Sequence, residues 1–392
     1  MLRALLLAVI AILFIMAVAG LCAFLYGFIR PDSVKRDRTK RAYPSVTHDQ
    51  VAILIACHNG ASTIGTVVAA ARATGAPVYV VSDASTDATA SLARAAGGTV
   101  LEQAVNVGKP AALHLAYEHF QLGQRYRAVT ILDDDVIIGD TFIDDCLNKL
   151  AEDVAIVVGH NVTWWPKERR WNAWLAARAY SYWYYQLVVR RLQSAANVMN
   201  CISGSNSLYR TELLDEVLPQ RPPYIVDDTF WVLETHRRKL GRIVYAPKAT
   251  ALLQDPTNLH DWYRQNLRWM WGTFQGIIGH RIGRQASMFD LAYVLLIIHW
   301  LIYVLSGPAT VWLLVISFDA PISAVLILLA GHSVWMLVAA IQLRHPRLVL
   351  FIPALVVIDL VYRIVLVHAL IKAIRQPSVE RCVWKSPARL AA

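Results

Sequence analysis

The chain has 392 residues, of which 56% are hydrophobic and 17% charged. That composition excludes an ordinary soluble domain and leaves room for a folded domain joined to membrane-crossing segments. The net charge of +10 does not indicate nucleic acid, because many of the basic residues flank apolar runs, where anionic lipid headgroups attract them.

Residues 2–28 form the first element, an apolar run with a single charge, Arg3. It is longer than the roughly 20 residues a spanning helix needs and than a signal-peptide core, so it predicts an uncleaved transmembrane helix in 1–30. Arg30, Lys35, Arg36, Arg38, Lys40 and Arg41 make 31–48 a basic linker. By the positive-inside rule, the next domain is then cytoplasmic, as at a bacterial inner (plasma) membrane.

From Val51 short apolar runs (VAILIAC, PVYVVSD, AVTILDDDV, VAIVVGH) alternate with helical patterns at 62–73, 87–96 and 110–120. This alternation predicts an α/β domain over 49–255, with a mostly parallel sheet covered on both faces and ligands bound beyond the carboxyl ends of its strands. Five cysteines without CxxC spacing argue against a zinc site or a disulfide framework. Residues 164–193, rich in Trp, Tyr and Arg, are expected either as helices against the membrane or an acceptor channel, or as an aromatic core pair. Another Trp and Arg stretch, within 256–285, reads as an interfacial helix. Three apolar blocks then follow inside 286–376: 289–318, interrupted by Gly307-Pro308, then 322–343 and 349–374. The first exceeds one hydrocarbon core and is expected to tilt, kink or cross twice. A basic tail, 377–392, closes the chain.

The acidic residues gather at strand ends. Asp133-Asp134-Asp135 ends AVTIL; carboxylates there are the hard oxygen ligands that Mg²⁺ or Mn²⁺ prefers. Alternation along an extended chain lets Asp133 and Asp135 share a pocket while Asp134 faces elsewhere. Asp83 closes PVYVVS, where it suits a ribose or base. Lys109 follows Gly108 without the spacing of a phosphate loop, yet suits a diphosphate. Asp228, in YIVDDTFW at a helix start, is placed to act as a general base. Gln265, Arg268 and Trp269 share one helix side at i, i+3 and i+4, where Gln can bond a hydroxyl, Arg can neutralise phosphate and Trp can stack on a sugar ring.

Asp83, Asp133-x-Asp135, Asp228 and QNLRW together resemble, in order and spacing, the D, DxD, D, QxxRW set of the family 2 inverting glycosyltransferases, the group of hyaluronan, chitin and cellulose synthases. RRLQSAANVMNCISGSNSLYR resembles the Ser-Gly acceptor-side segment of hyaluronan and chitin-oligosaccharide synthases. The resemblance implies a GT-A, Rossmann-like domain joined to transmembrane helices. It implies a UDP-sugar donor held by His58, Asp83, Lys109 and Asp133, with Mg²⁺ or Mn²⁺ on Asp135. Asp228 would be the base, and Gly204, Ser205, Gln265, Arg268 and Trp269 would face the acceptor or diphosphate. Three positions depart from the family pattern: His58-Asn59-Gly60 replaces Tyr-Asn-Glu, Ser82-Asp83 replaces paired aspartates, and Asp227-Asp228 replaces Glu-Asp.

The expected activity is transfer from a UDP-sugar to a growing β-glycan. Single addition to a lipid acceptor is the alternative, and a homo-oligomer is allowed. A nucleotide-binding transporter would rest on Asp359 and Arg363, charges one turn apart in the last apolar block. A glycoside hydrolase would need neither metal ligands nor a nucleotide pocket.

Overall fold

The computed structural model of the chain describes residues 42–219, 222–316 and 333–380, with the side chains of 307–316 left out. The expected amino-terminal anchor, most of its basic flank and the basic tail beyond 380 lie outside the described residues. One eight-stranded sheet organises the domain, in the order β3-β2-β1-β4-β7-β6-β8-β5. Its first half comprises β1 (Val51–Cys57), β2 (Val78–Asp83), β3 (Thr99–Gln103) and β4 (Ala128–Asp133). These four run parallel, with Ile53 opposite Val78 and Thr130, and Tyr79 opposite Thr99.

Every residue of β1 and β2 is buried, which is why both read as unbroken apolar runs. Successive side chains of β1 serve opposite layers: Ala52, Leu54 and Ala56 join one core, and Val51, Ile53, Ile55 and Cys57 the other. Each fully buried Val, Leu or Ile contributes roughly 1.5–3 kcal/mol. Helices α1 (Ile64–Ala73), α2 (Thr89–Ala95) and α3 (Lys109–His119) cross between the parallel strands. All three lie within two residues of their expected limits.

The second half departs from pure alternation. β5 (Val136–Ile138) and α4 (Phe142–Leu147) lead to β6 (Val154–Thr163), and β7 (Asn206–Arg210) inserts antiparallel between β4 and β6. β8 (Arg242–Leu253) pairs parallel with β6 and antiparallel with β5. Between β6 and β7 stands α5 (Ala173–Tyr184), which continues through a π-helical turn, Tyr185–Arg190, and a last helical stretch, Arg191–Ala196. Of the two expectations for this aromatic stretch, core packing describes Trp183, 1% exposed, and Ala176, Trp174 and Tyr180 in a shared cluster with Trp262 and Leu355.

Further helices follow, among them α6 (Thr211–Val217), α7 (Asp227–Arg237), α8 (Leu259–Gly279) and α9 (Met288–Ile316). A 3-10 turn, Pro346–Phe351, then opens α10 (Ile352–Arg375). α9 runs unbroken through Gly307-Pro308 as a single helix. Two stretches, Met288–Ser306 and Pro346–Arg375, are long and apolar enough to cross a membrane. Both carry outward apolar side chains, among them Leu291, Leu295, Ile298, Val357 and Ile364.

These helices are built onto the α/β domain. Met270 and Phe274 of α8 pack on Leu366, Ala369 and Ala373 of α10. Arg237 at the end of α7 forms a 2.6 Å ion pair with Asp290 at the start of α9. α7 begins at Asp227-Asp228, so one rigid helix connects that carboxylate pair to a membrane-length helix.

Candidate active site

A cavity of about 1650 Å³ opens at the carboxyl ends of β1, β2 and β4 and reaches α9 and α10. Of the residues expected from sequence, His58, Asp83, Lys109, Asp133, Gly204, Ser205, Asp228, Arg268 and Trp269 line it. Asp135 and Gln265 lie beside it rather than on its wall.

Asp83 is 3% exposed, and its carboxylate accepts the backbone N–H groups of Val107 and Gly108, each at 2.9 Å. It therefore shapes the turn that delivers Lys109 to the first position of α3. Gly108 adopts φ +83°, a left-handed conformation that glycine takes without steric cost. His58 Nδ1 lies 2.6 Å from the Asp83 carbonyl, and Asn106 donates to the same oxygen at 3.2 Å.

Lys109 is the centre of the arrangement. Its Nζ donates to Asp133 Oδ1 at 2.5 Å and to the Gly204 carbonyl at 3.1 Å. Burial pulls its pKa down, but Asp133, Asp227 and Asp228 outweigh burial and hold it above the ordinary range. Beyond it the Gly204 amide donates to Asp228 Oδ2 at 3.2 Å. Burial and then the neighbouring Asp227 push the Asp228 pKa up to about 6, against the pull of Lys109 and Arg268. A carboxylate tuned towards the operating pH is what general-base work requires.

Gly204 is required by close approach. A Cβ there would lie 2.9 Å from Asp228 Oδ2 and 3.0 Å from Asp228 Cβ. Gly204→Ala is expected to displace Asp228 and lower kcat about 10²-fold. Steady-state kinetics beside donor-binding titration should show turnover lost and donor affinity kept.

The aspartate triplet departs from the expected alternation. β4 ends at Asp133, and Asp134 and Asp135 form the turn into β5, so the extended geometry that would pair Asp133 with Asp135 stops short. Asp134 is 4% exposed, lines the cavity and accepts the Cys57 thiol proton at 2.8 Å. Asp135 is half-buried in the turn.

Gln265 and Trp269 are organised by a residue that sequence reasoning missed. Arg178 of α5, with a side chain 5% exposed, donates to Gln265 Oε1 at 2.5 Å and stacks over the Trp269 ring at 4.7 Å. Its Nε stands 3.3 Å from Asp255, whose side chain is 1% exposed and also accepts the Tyr182 hydroxyl proton at 3.2 Å. Burial pushes the Asp255 pKa up to about 6, opposed chiefly by Arg178. The available signal was an arginine inside an otherwise apolar and aromatic helix. Arg178→Ala leaves Asp255 buried without its counter-ion and is expected to cost about 3–5 kcal/mol. Thermal unfolding should show a lower midpoint, partly restored in the double variant Arg178→Ala/Asp255→Asn.

Comparison with known proteins places this cavity. The family model described as "Glycosyltransferase like family 2" matches residues 48–272, a span holding every site residue named above. The chain belongs to that family. Hyaluronan synthases 2 and 3 of Xenopus laevis are 26% identical to this glycosyltransferase over 170 and 166 residues. The matches cover 41% and 38% of this chain but only 30% and 28% of those relatives. Among solved structures, a mannosyltransferase of Pyrobaculum calidifontis, in complex with GDP-Man and Mn²⁺, superposes with a TM-score of 0.57 at 18% identity. The superposition covers 93% of this chain and 99% of that one. The glycosyltransferase thus has the expected GT-A fold, a curled and mostly parallel α/β sheet.

Proposed function

We propose that this chain is a membrane-embedded, inverting glycosyltransferase that moves a sugar from a UDP-sugar to a growing β-linked glycan. The observation that carries the reading is the continuous line Asp133–Lys109–Gly204–Asp228 inside one cavity that also touches membrane-length helices. The two candidate spans, together with the anchor expected in 1–30, support a site at a bilayer surface, and the charge in 31–48 supports the cytoplasmic face.

The donor's nucleotide lies against His58, Asp83 and Asn106, and its diphosphate between Lys109 and Arg268. Among the described residues no group of three or more His, Cys, Asp or Glu could hold a metal ion alone. Mg²⁺ or Mn²⁺ typically takes one or two carboxylates and fills the octahedron with substrate phosphates and water. The bond from the Lys109 ammonium to Asp133 supports a cation-favouring β4 edge, and Asp135 on the adjoining turn is the proposed ligand. Bound there, the metal supplies charge neutralisation for the departing diphosphate.

Asp228, held by the Gly204 amide, takes the proton of the acceptor hydroxyl as that oxygen attacks the anomeric carbon from the face opposite the diphosphate. The C–O bond to UDP breaks as the new bond forms, and a single displacement turns an α-linked donor into a β-linked product. Lys109 and Arg268 oppose the charge growing on the leaving group. Trp269, fixed beneath Arg178, presents a ring face on which an acceptor sugar stacks, and Gln265 is held behind it.

Single addition to a lipid is the second reading, favoured by the cavity wall from Trp300 and Tyr303 to Leu355 and Tyr362, which is open to an amphiphile. Purified full chain supplied with radiolabelled UDP-sugars decides between them. A ladder of products supports the polymer, and one organic-soluble product replaces it with the lipid reading. Absence of UDP release from every donor overturns the transferase assignment itself.

A further inference from the structure

Arg190 is a buried cation that the mechanism above leaves unused. It closes the π-helical turn of α5, a distortion that recurs at functional sites, is 3% exposed and lines the cavity. Among the described residues no carboxylate lies within ion-pair distance of it. Nη1 reaches Gln186 Oε1 at 3.2 Å and the Gly159 carbonyl at 3.4 Å. The guanidinium faces the rings of Tyr185 at 5.3 Å and Tyr245 at 5.9 Å, and its buried Nε has no hydrogen-bond partner. The titratable neighbours are neutral near pH 7. Burial and then Arg190 lower the His160 pKa to about 4, while burial pushes the Cys201 thiol up to about 11.

Another buried arginine shows what a purely structural one looks like here. Arg210 gives Nε to Val154 O at 2.7 Å, Nη1 to Pro44 O at 2.7 Å and Nη2 to Ala151 O at 3.0 Å, and it is not on the cavity wall. Arg190 makes two bonds to oxygen, both longer, lies beside the Cys201 thiol and keeps an orphaned donor next to open space. A full charge in that state is costly unless something anionic completes it. Gln186 Oε1, which accepts from Arg190, also accepts the Asn161 amide, and Asn161 Oδ1 accepts from Ser203 beside Gly204, so Arg190 stands on the Ser-Gly, acceptor side.

The geometry points to an oxyanion subsite at Arg190, which binds a phosphate or carboxylate carried by the acceptor. The inference rests on the transferase reading for the word acceptor; the anion site itself stands on the unpaired guanidinium. Two acceptor chemistries share the charge, a lipid phosphate and an acidic sugar, and they are separable by probe.

Full-length protein in phosphatidylcholine nanodiscs is titrated calorimetrically with citronellyl phosphate, octyl β-glucuronide and the neutral octyl β-glucoside. The wild type is expected to bind at least one acidic probe about tenfold or more tightly than the neutral one, as hydrogen bonds to a charged group allow. Arg190→Gln should erase that preference and Arg190→Lys retain part of it. Tighter binding of the phosphate identifies a lipid phosphate, and of the glucuronide an acidic glycan. Equal affinity for all three probes in the wild type overturns the subsite whether or not the variants fold, as does an undiminished acid preference in Arg190→Gln. UDP release in the same preparations reports the transferase reading separately: its absence beside a clear acid preference refutes the activity and leaves the anion site.

Discussion

Asp228→Asn is expected to lower kcat by about 10²–10⁴-fold, the range in which a positioned general base contributes. An asparagine keeps the shape and still accepts the Gly204 amide bond through its carbonyl, but it takes no proton from an alcohol. Donor affinity should persist, because the proposed nucleotide site lies at the β2 edge and at Lys109, on the other side of the Gly204 carbonyl. Thermal stability should not fall. The raised pKa of Asp228 means that the surroundings disfavour its charge on balance, with Asp227 alongside, so an amide is better tolerated there. A loss of turnover with an unchanged or higher melting temperature would therefore separate chemistry from unfolding.

The same residue sets the acid limb of the pH profile. The base acts only when ionised, and its pKa stands near 6. Turnover should therefore rise with pH through that value and level off above it. One pH unit below the pKa about a tenth of the carboxylates remain ionised, so the rate near pH 5 should be about a tenth of the plateau. A profile flat from pH 5 to 8 would remove Asp228 from this role. A water-exposed carboxylate would place the limb near pH 4 instead.

Asp135→Ala carries the other large expected effect, a loss on the order of 10³-fold, the several kcal/mol that a divalent cation supplies to a leaving diphosphate. Asp133 Oδ1 accepts from Lys109 and Asp134 Oδ2 accepts from Cys57, and Asp135, on the turn out of β4, is the ligand proposed for the metal. Chelation of the wild type with EDTA should abolish turnover, and added Mn²⁺ or Mg²⁺ should restore it. Asp135→Ala should respond to neither, whereas Asp134→Asn, which perturbs the contact with Cys57, should keep its metal response. Metal-independent turnover in the wild type would remove the cation from the reaction, and full rescue of Asp135→Ala by Mn²⁺ would reassign it to another carboxylate.

How much of this was legible in the amino-acid order depends on the range of the forces involved. The β/α alternation, the strand ends bearing aspartate and the two membrane-length helices are recorded in local periodicity, because burial of a strand or exposure of a span to lipid acts on neighbouring residues. The helix face was legible in part: of Gln265, Arg268 and Trp269, expected on one side of α8, Arg268 and Trp269 line the cavity and Gln265 does not.

Tertiary structure decided what the triplet does. Whether Asp134 or Asp135 turns inward depends on where β4 stops, and β4 stops where its pairing with β7 ends at Leu132 opposite Asn206. It likewise decided that Asp83 braces the Lys109 turn through two backbone amides 24 and 25 residues away.

Arg178 meets Gln265 and Asp255 across separations of 87 and 77 residues, and no local pattern encodes that meeting. Arg190 was invisible as a site for the same reason. In the sequence it is one more arginine in a basic, aromatic stretch, and only the packed fold removes its water and its counter-ion together. Sequence by itself thus determined the fold class and the order of the motifs, through short-range patterns of burial. Only the tertiary structure decided which charges face each other, because electrostatic partnership depends on distance and desolvation, which chain order does not contain.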